Sequence, residues 1–184
     1  MIPEEKASGL LRALYERIGR ARGGVAHVMK VHSLHPEAME KHFELYRTLM
    51  FKRSELSRPL REMIGVIVSA HNQCTYCVAH HLEPLKAFNI PPVLLKSLEA
   101  GEIPQELPDK EQALLQYAIQ LTQNPSRDAT QIQHLKDCGW SERAILDATL
   151  IISYFNFANR IVLGLGVSLE PDFERTCQPH DISG

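Results

Sequence analysis

At 184 residues with 44% hydrophobic side chains, the chain can bury one sizeable core, and its formal charge of −2, with Lys and Arg scattered rather than blocked, excludes the basic footprint of a nucleic-acid or anionic-membrane binder. No stretch approaches the roughly 20 apolar residues of a membrane helix, and the opening MIPEEKASGL carries acids where a signal peptide would be basic and then apolar; a cytoplasmic protein without a membrane partner is expected. Four cysteines are too few for a disulfide scaffold at this length, so in a reducing compartment the close pair Cys74 and Cys77 points to redox or metal chemistry.

Helical periodicity dominates and no segment alternates as a strand would, so the fold is read as all-α with about seven or eight helices. A first helix covers roughly residues 8–21 and ends at Gly23-Gly24; a short His-rich linker follows. A second begins after His35-Pro36, with Met39, Phe43, Tyr46 and Met50 along one stripe. The next, capped by Ser57 with Pro59 in its first turn, places Leu60, Met63, Ile64, Ile67, Val68 and His71 at helical spacing and is expected to be the buried central helix. Asn72-Gln73 breaks it, and TYCVAHHLEPLKAF starts a helix whose opening turn holds the cysteines. Pro91-Pro92 opens a short helix and GEIPQELP is the main linker.

Three helices follow: DKEQALLQYAIQLTQN, then DATQIQHLKDCG ending at Gly139, then a long one capped by Ser141. This last helix echoes the Ser57 helix at an offset of 84, with Ser57/Ser141, Ile67/Ile151, Ser69/Ser153 and Asn72/Asn156 coinciding, which hints at a duplicated helical unit. The domain reading is one unit over 1–184, with N-terminal helices 1–55, a cysteine-bearing core 56–100, C-terminal helices 108–168 and a tail 169–184.

On a helix of ~100° per residue, Cys77 lies about −60° and His81 about −20° from Cys74, so all three project from one face. His80 lies at about −120°, so geometry prefers His81 as the thiols' partner. Two helical cysteines at this spacing have Cα atoms about 5 Å apart, inside the window of a disulfide. A helix N-terminus and a neighbouring imidazole both favour the thiolate, the form that attacks a peroxide or a disulfide. Twelve residues before Cys74, Glu62 stands within an apolar helical segment, where a carboxylate requires a partner. If the two helices fold back on each other, Glu62 reaches His81 or a thiol and completes a nucleophile, base and orienter set.

The spacing Glu62-x11-Cys74-x-x-Cys77-x3-His81 resembles the signature of AhpD-like alkylhydroperoxidases of the carboxymuconolactone decarboxylase superfamily, and REMIGVIVSAHNQCTYCVAHH is similar to its peroxidase-related subgroup. HPEAMEKHFELYRTLMF and FNFANRIVLGLGV extend the likeness over most of the chain. The resemblance implies an AhpD-like helical bundle, a homo-oligomer, and reduction of small hydroperoxides without cofactor or metal. Cys77 would attack the peroxide, Cys74 resolve, and Glu62 with His81 relay protons; a dithiol, lipoyl or thioredoxin-like donor would restore the pair. Tyr76 departs from the pattern, since AhpD proteins often carry a His between the cysteines. The decarboxylase branch generally lacks the pair, so its reaction is disfavoured.

Competing readings are a structural thiol pair, a zinc site with His80 or His71 as fourth ligand, a disulfide relay, and a helical protein whose thiols only sense oxidation. Three ligands on one helix face crowd a tetrahedron, which counts against zinc. Taken alone, Glu62 reads as a solvated charge paired with Arg58 or Arg61. His71 reads as a hydrogen-bonded core histidine, and His27, His32, His35 and His42 as surface or packing residues. Cys138 and Cys177 have no companion at motif spacing and read as ordinary thiols. Tyr154, Phe155, Phe157 and Asn159 read as core or subunit interface before they read as a pocket.

Overall fold

The computed structural model describes residues 1–126 and 129–177; the expected helix start at Asp128 and the end of the tail, 178–184, lie outside the described residues. Among the described residues there are nine α-helices and no strand: α1 (Gly9–Arg22), α2 (His27–Lys30), α3 (Pro36–Phe51), α4 (Arg58–His71), α5 (Thr75–Ala87), α6 (Pro92–Glu99), α7 (Asp109–Gln123), α8 (Ala129–Asp137) and α9 (Glu142–Gly164). The addition to the expected set is α2, a single turn in the His-rich linker that is too short to show periodicity. No helix of the described residues is long and apolar enough to cross a membrane.

The centre of the molecule is α4, on which α5, α9, α7, α6 and α3 all pack. Ten consecutive residues, Leu60 to Ser69, are buried, so the helix is covered on every side, with Arg61, Glu62 and Ser69 buried among its apolar residues. Burying each of its large aliphatic side chains contributes about 1.5–3 kcal/mol. Its start is set by Ser57, whose hydroxyl accepts the Leu60 N–H at 3.3 Å; Ser141 does the same for α9 with Ala144 at 3.0 Å. Arg61, also buried, is satisfied by donating to the carbonyls of Leu49, Met50, Lys52 and Leu56, which stitches the end of α3 to the start of α4.

The α4–α5 turn is made by Gln73, at φ +58°, with Gln73 N–H bonded to the Ala70 carbonyl and Cys74 N–H to that of Ser69. This Schellman-type ending turns the chain so abruptly that α5 begins at the next residue but one. Gly65 lets α9 come close, because a Cβ there would stand 2.6 Å from the Phe155 ring. Along the same contact, Asn72 donates to the side-chain oxygens of Asn156 (3.1 Å) and Asn159 (2.9 Å), and Asn159 donates to the Ser69 hydroxyl. The echoing segments around Ser57 and Ser141 are thus packed against each other, joined at their Asn72 and Asn156 ends.

After α9 the chain returns across α2 and α5. The Ser168 carbonyl lies 2.9 Å from His27 Nδ1, and Arg22 donates to the Thr176 carbonyl at 3.0 Å. The expected tail is therefore, as far as residue 177, a docked segment ending in a 3-10 turn, Phe173–Thr176.

Candidate thiol site

Cys74 is the N-cap of α5 and not part of its first turn; its φ of −91° and ψ of 83° are non-helical. The consequence differs little from the helical-wheel expectation, because the Sγ atoms of Cys74 and Cys77 still stand 2.6 Å apart as free thiols. Cys74 is wholly buried, while Cys77 is 5% exposed and lines a cavity.

Glu62 and His81 meet as the motif spacing requires. His81 Nδ1 lies 2.6 Å from Glu62 Oε2, and Arg58 donates to Glu62 Oε1. Glu62 has no exposed surface, so burial pushes its pKa up, but the charges of Arg58 and His81 outweigh this and hold it at about 2. The reading of Glu62 as a solvated charge fails; of its two proposed arginine partners, Arg58 is the one used, while Arg61 serves the α3 carbonyls. An ionised carboxylate on Nδ1 makes that nitrogen the donor, so the neutral ring of His81 offers Nε2 as base. Phe155 fixes the ring edge-on at 4.5 Å between centroids.

The two thiols ionise as a unit. Cys74 is lowered from its usual range by the hydrogen bond from the Cys77 thiol, against the effect of burial and with help from the Cys77 backbone N–H. Cys77 is raised by the same hydrogen bond, by burial and by the charge on Cys74, with the Asn159 amide pulling the other way. Electrostatics therefore settles the first charge on Cys74, whereas access favours Cys77.

The cavity is walled by Tyr46, Tyr154 and Phe155 with Cys77, His80 and His81, and leaves about 70 Å³ for the centres of water-sized molecules. That is space for a few waters or a short ligand. Tyr154 and Phe155, expected as core or interface, are buried and also line it; Asn159 is buried beside Cys77, and Phe157 is 48% exposed. A polar chain leads away from Tyr154: its hydroxyl is 2.8 Å from His42 Nε2, and His42 Nδ1 is 3.3 Å from His32 Nε2. Burial, with the neighbouring His32, drops His42 to about 3. His71 bonds the Gly101 carbonyl and Gln123, as a core histidine does.

Sequence reasoning missed a second carboxylate–imidazole–thiol set on the same cavity. Glu170 accepts from the His27 N–H and, at 2.9 Å, from the Tyr76 hydroxyl; its other oxygen is 2.9 Å from His80 Nε2. His80 Nδ1 lies 3.3 Å from Cys177 Sγ, and Cys177 lines the cavity. Burial raises Glu170, but the hydrogen bonds from His80 and His27 prevail and hold it at about 2. Burial pushes the Cys177 thiol up to about 12. The one sequence signal was the His80-His81 doublet, which presents imidazoles on two faces of α5. Separations of 90 and 97 residues hid the partners. His80 and His71, the fourth-ligand candidates of the zinc reading, are thus both engaged elsewhere.

The all-helical bundle has the fold of AhpD-core proteins. Two solved peroxidase-related proteins share the fold over nearly their whole length. One from Ralstonia eutropha JMP134 has a TM-score of 0.84 at 23% identity, covering 97% of this chain and 95% of that one. One from Silicibacter sp. TM1040 has a TM-score of 0.81 at 24% identity, covering 97% and 94%. The model of the PA26 p53-induced protein (sestrin) family matches residues 2–183, and the chain belongs to that family. It is 26% identical to mouse Sestrin-2 over 156 residues, which are 83% of this chain but 31% of that protein. It is also 28% identical to the Bacillus subtilis protein YdfG over 116 residues, 62% of this chain and 79% of that one. The chain thus spans about a third of the length of the sestrin it matches.

Proposed function

We propose that the protein is a thiol-dependent peroxidase that reduces short hydroperoxides through Cys74 and Cys77, with Glu62 and His81 moving the protons. The observation that carries this reading is the sulfur–sulfur contact of 2.6 Å beside a cavity that His81 also lines. Cys77 gives its proton to His81 Nε2, Cys74 keeps its own, and the Cys77 thiolate attacks the distal peroxide oxygen. The O–O bond breaks, leaving a sulfenic acid on Cys77 and an alkoxide that takes a proton by way of His81. Cys74 then attacks the sulfenic sulfur, water leaves, and a disulfide closes. A dithiol donor, lipoyl or thioredoxin-like, supplies the two electrons and two protons that reopen it. Glu62 keeps His81 in the tautomer whose Nε2 accepts, and stabilises the imidazolium.

Hydroperoxide consumption with a dithiol donor tests the reading. Turnover is expected in the wild type and its loss in both Cys77→Ser and Cys74→Ser; turnover that survives either substitution overturns it. A disulfide relay with little peroxidase activity is the second reading, and one observation favours it. Tyr76, which stands between the cysteines, has its hydroxyl committed to Glu170 and the Val28 N–H and so adds no proton donor to the pair. Rapid disulfide exchange without peroxide turnover would select the relay. Leu146, Leu150 and Phe157 form an exposed stripe on α9 that suits self-association, for which sedimentation analysis is the test.

A further inference from the structure

Glu170, His80 and Cys177 form a second carboxylate–imidazole–thiol set that the peroxidase reading leaves idle. The ionised Glu170 accepts from His80 Nε2, so Nδ1 is the lone-pair nitrogen and points at Cys177 Sγ, 3.3 Å away. The single S–H of Cys177 has two acceptors in reach, His80 Nδ1 and the Phe173 carbonyl at 3.2 Å. Cys177 and Cys77 line the same narrow cavity, whereas Cys74 is wholly buried. A disulfide between Cys74 and Cys77 would thus be closed to a protein-borne or lipoyl dithiol, which must bring its attacking sulfur nearly into line with the bond it breaks.

We propose that Cys177 is a third redox thiol, which opens the Cys74–Cys77 disulfide by exchange and passes it on to the external dithiol. The proposal rests on the reading that the pair cycles. Cys177 gives its proton to His80, whose imidazolium Glu170 stabilises, and its sulfur attacks Cys77. The Cys74–Cys77 bond breaks, and Cys74 leaves as thiolate, the sulfur whose charge the site already favours. The proton on His80 returns to Cys74, so the net change is exchange of one disulfide for another. A donor dithiol then attacks Cys177 and releases Cys77 as a thiol; the donor's second sulfur closes its own disulfide and expels Cys177 as a thiol, so that two electrons and two protons are supplied. Cys177 directly follows the 3-10 turn Phe173–Thr176 and not a packed helix; it is as buried as Cys77, so the hand-over requires this turn to open toward the donor.

The experiment is made in a Cys138→Ser background, which removes the one remaining thiol, away from the cavity. The thiol oxidant diamide is applied to Cys74→Ser, so that linkage does not depend on peroxide chemistry, and peptide masses are mapped. A Cys77–Cys177 disulfide is expected; its absence overturns the proposal. In a second arm the pair is oxidised with diamide, and its reduction by a thioredoxin-like protein dithiol is timed. Cys177→Ser is expected to slow this at least tenfold and His80→Gln to slow it with a changed pH profile; rates equal to the Cys138→Ser parent overturn the proposal. A hydroperoxide arm reads the pair alone: if hydroperoxide forms no Cys74–Cys77 disulfide while diamide does, the peroxidase reading fails, and the two diamide arms still decide on Cys177.

Discussion

Two glutamate–histidine–cysteine sets face one cavity from adjacent histidines of α5, and they are built differently. The Glu62 set lies wholly on α4 and α5 in the centre of the core, with an arginine on the far side of the carboxylate and a second sulfur against the first. The Glu170 set is closed by a segment that arrives from beyond α9, and its carboxylate is held by a backbone N–H and a tyrosine hydroxyl. Both carboxyls end at about 2. In the first, opposite charges overcome complete burial; in the second, hydrogen bonds contribute most. The lesson is that one chemical arrangement can be assembled within the core or closed by a docked segment, and only the first is built from residues near in sequence.

The largest break in this comparison comes from truncating each carboxylate. Glu62→Ala leaves Arg58 buried without its counter-charge and is expected to cost about 3–5 kcal/mol, while Glu170→Ala, which removes hydrogen bonds in the docked segment, should cost about 1–3 kcal/mol. Urea denaturation of both reads the difference, and equal losses would show that the docked segment is as integral as the core. Next, Gly65→Ala drives a methyl group into Phe155, the ring that positions His81, and should cost about 1–3 kcal/mol together with turnover. Its readouts are thermal melting and the peroxide assay.

Acid sharpens the comparison. Both carboxyls are depressed below their ordinary 4.5, so their contribution is complete above that value and is lost as pH falls toward about 2. His42 acts earlier. It stays neutral in the fold down to about 3, while the unfolded chain takes up a proton from 6.5 downward. Stability should therefore fall by about 1.4 kcal/mol per pH unit through that window, and His42→Gln should flatten the slope in denaturation curves at pH 6, 5 and 4. The smallest effect is expected at the α4–α5 turn: Gln73→Gly relieves a left-handed residue and should add about 0.5–1 kcal/mol, seen as a small rise in melting temperature.

Much of this was legible in the sequence wherever neighbours in space are neighbours along one or two helices. Ser57, Pro59 and the apolar run after them specify α4 as a buried helix, because capping and periodicity are local properties. The x11, x2 and x3 spacings likewise carry Glu62, Cys74, Cys77 and His81 to one place, since a tight turn at Gln73 leaves two adjacent helices little freedom. Even the displacement of Cys74 from the first turn to the cap was harmless to the pair.

What only the tertiary structure decided is the company those residues keep. Cys177 reads as an ordinary thiol and residues from 169 onward as a tail, because no local pattern links them to a histidine nearly a hundred positions earlier. Their meeting depends on how α9 crosses α4 and where the chain leaves it, set by Gly65 admitting Phe155 and by the asparagines that join the two helices. Short-range hydrogen bonding and periodicity are written residue by residue, whereas the sum of many packing contacts is not, and the second thiol belongs to that sum.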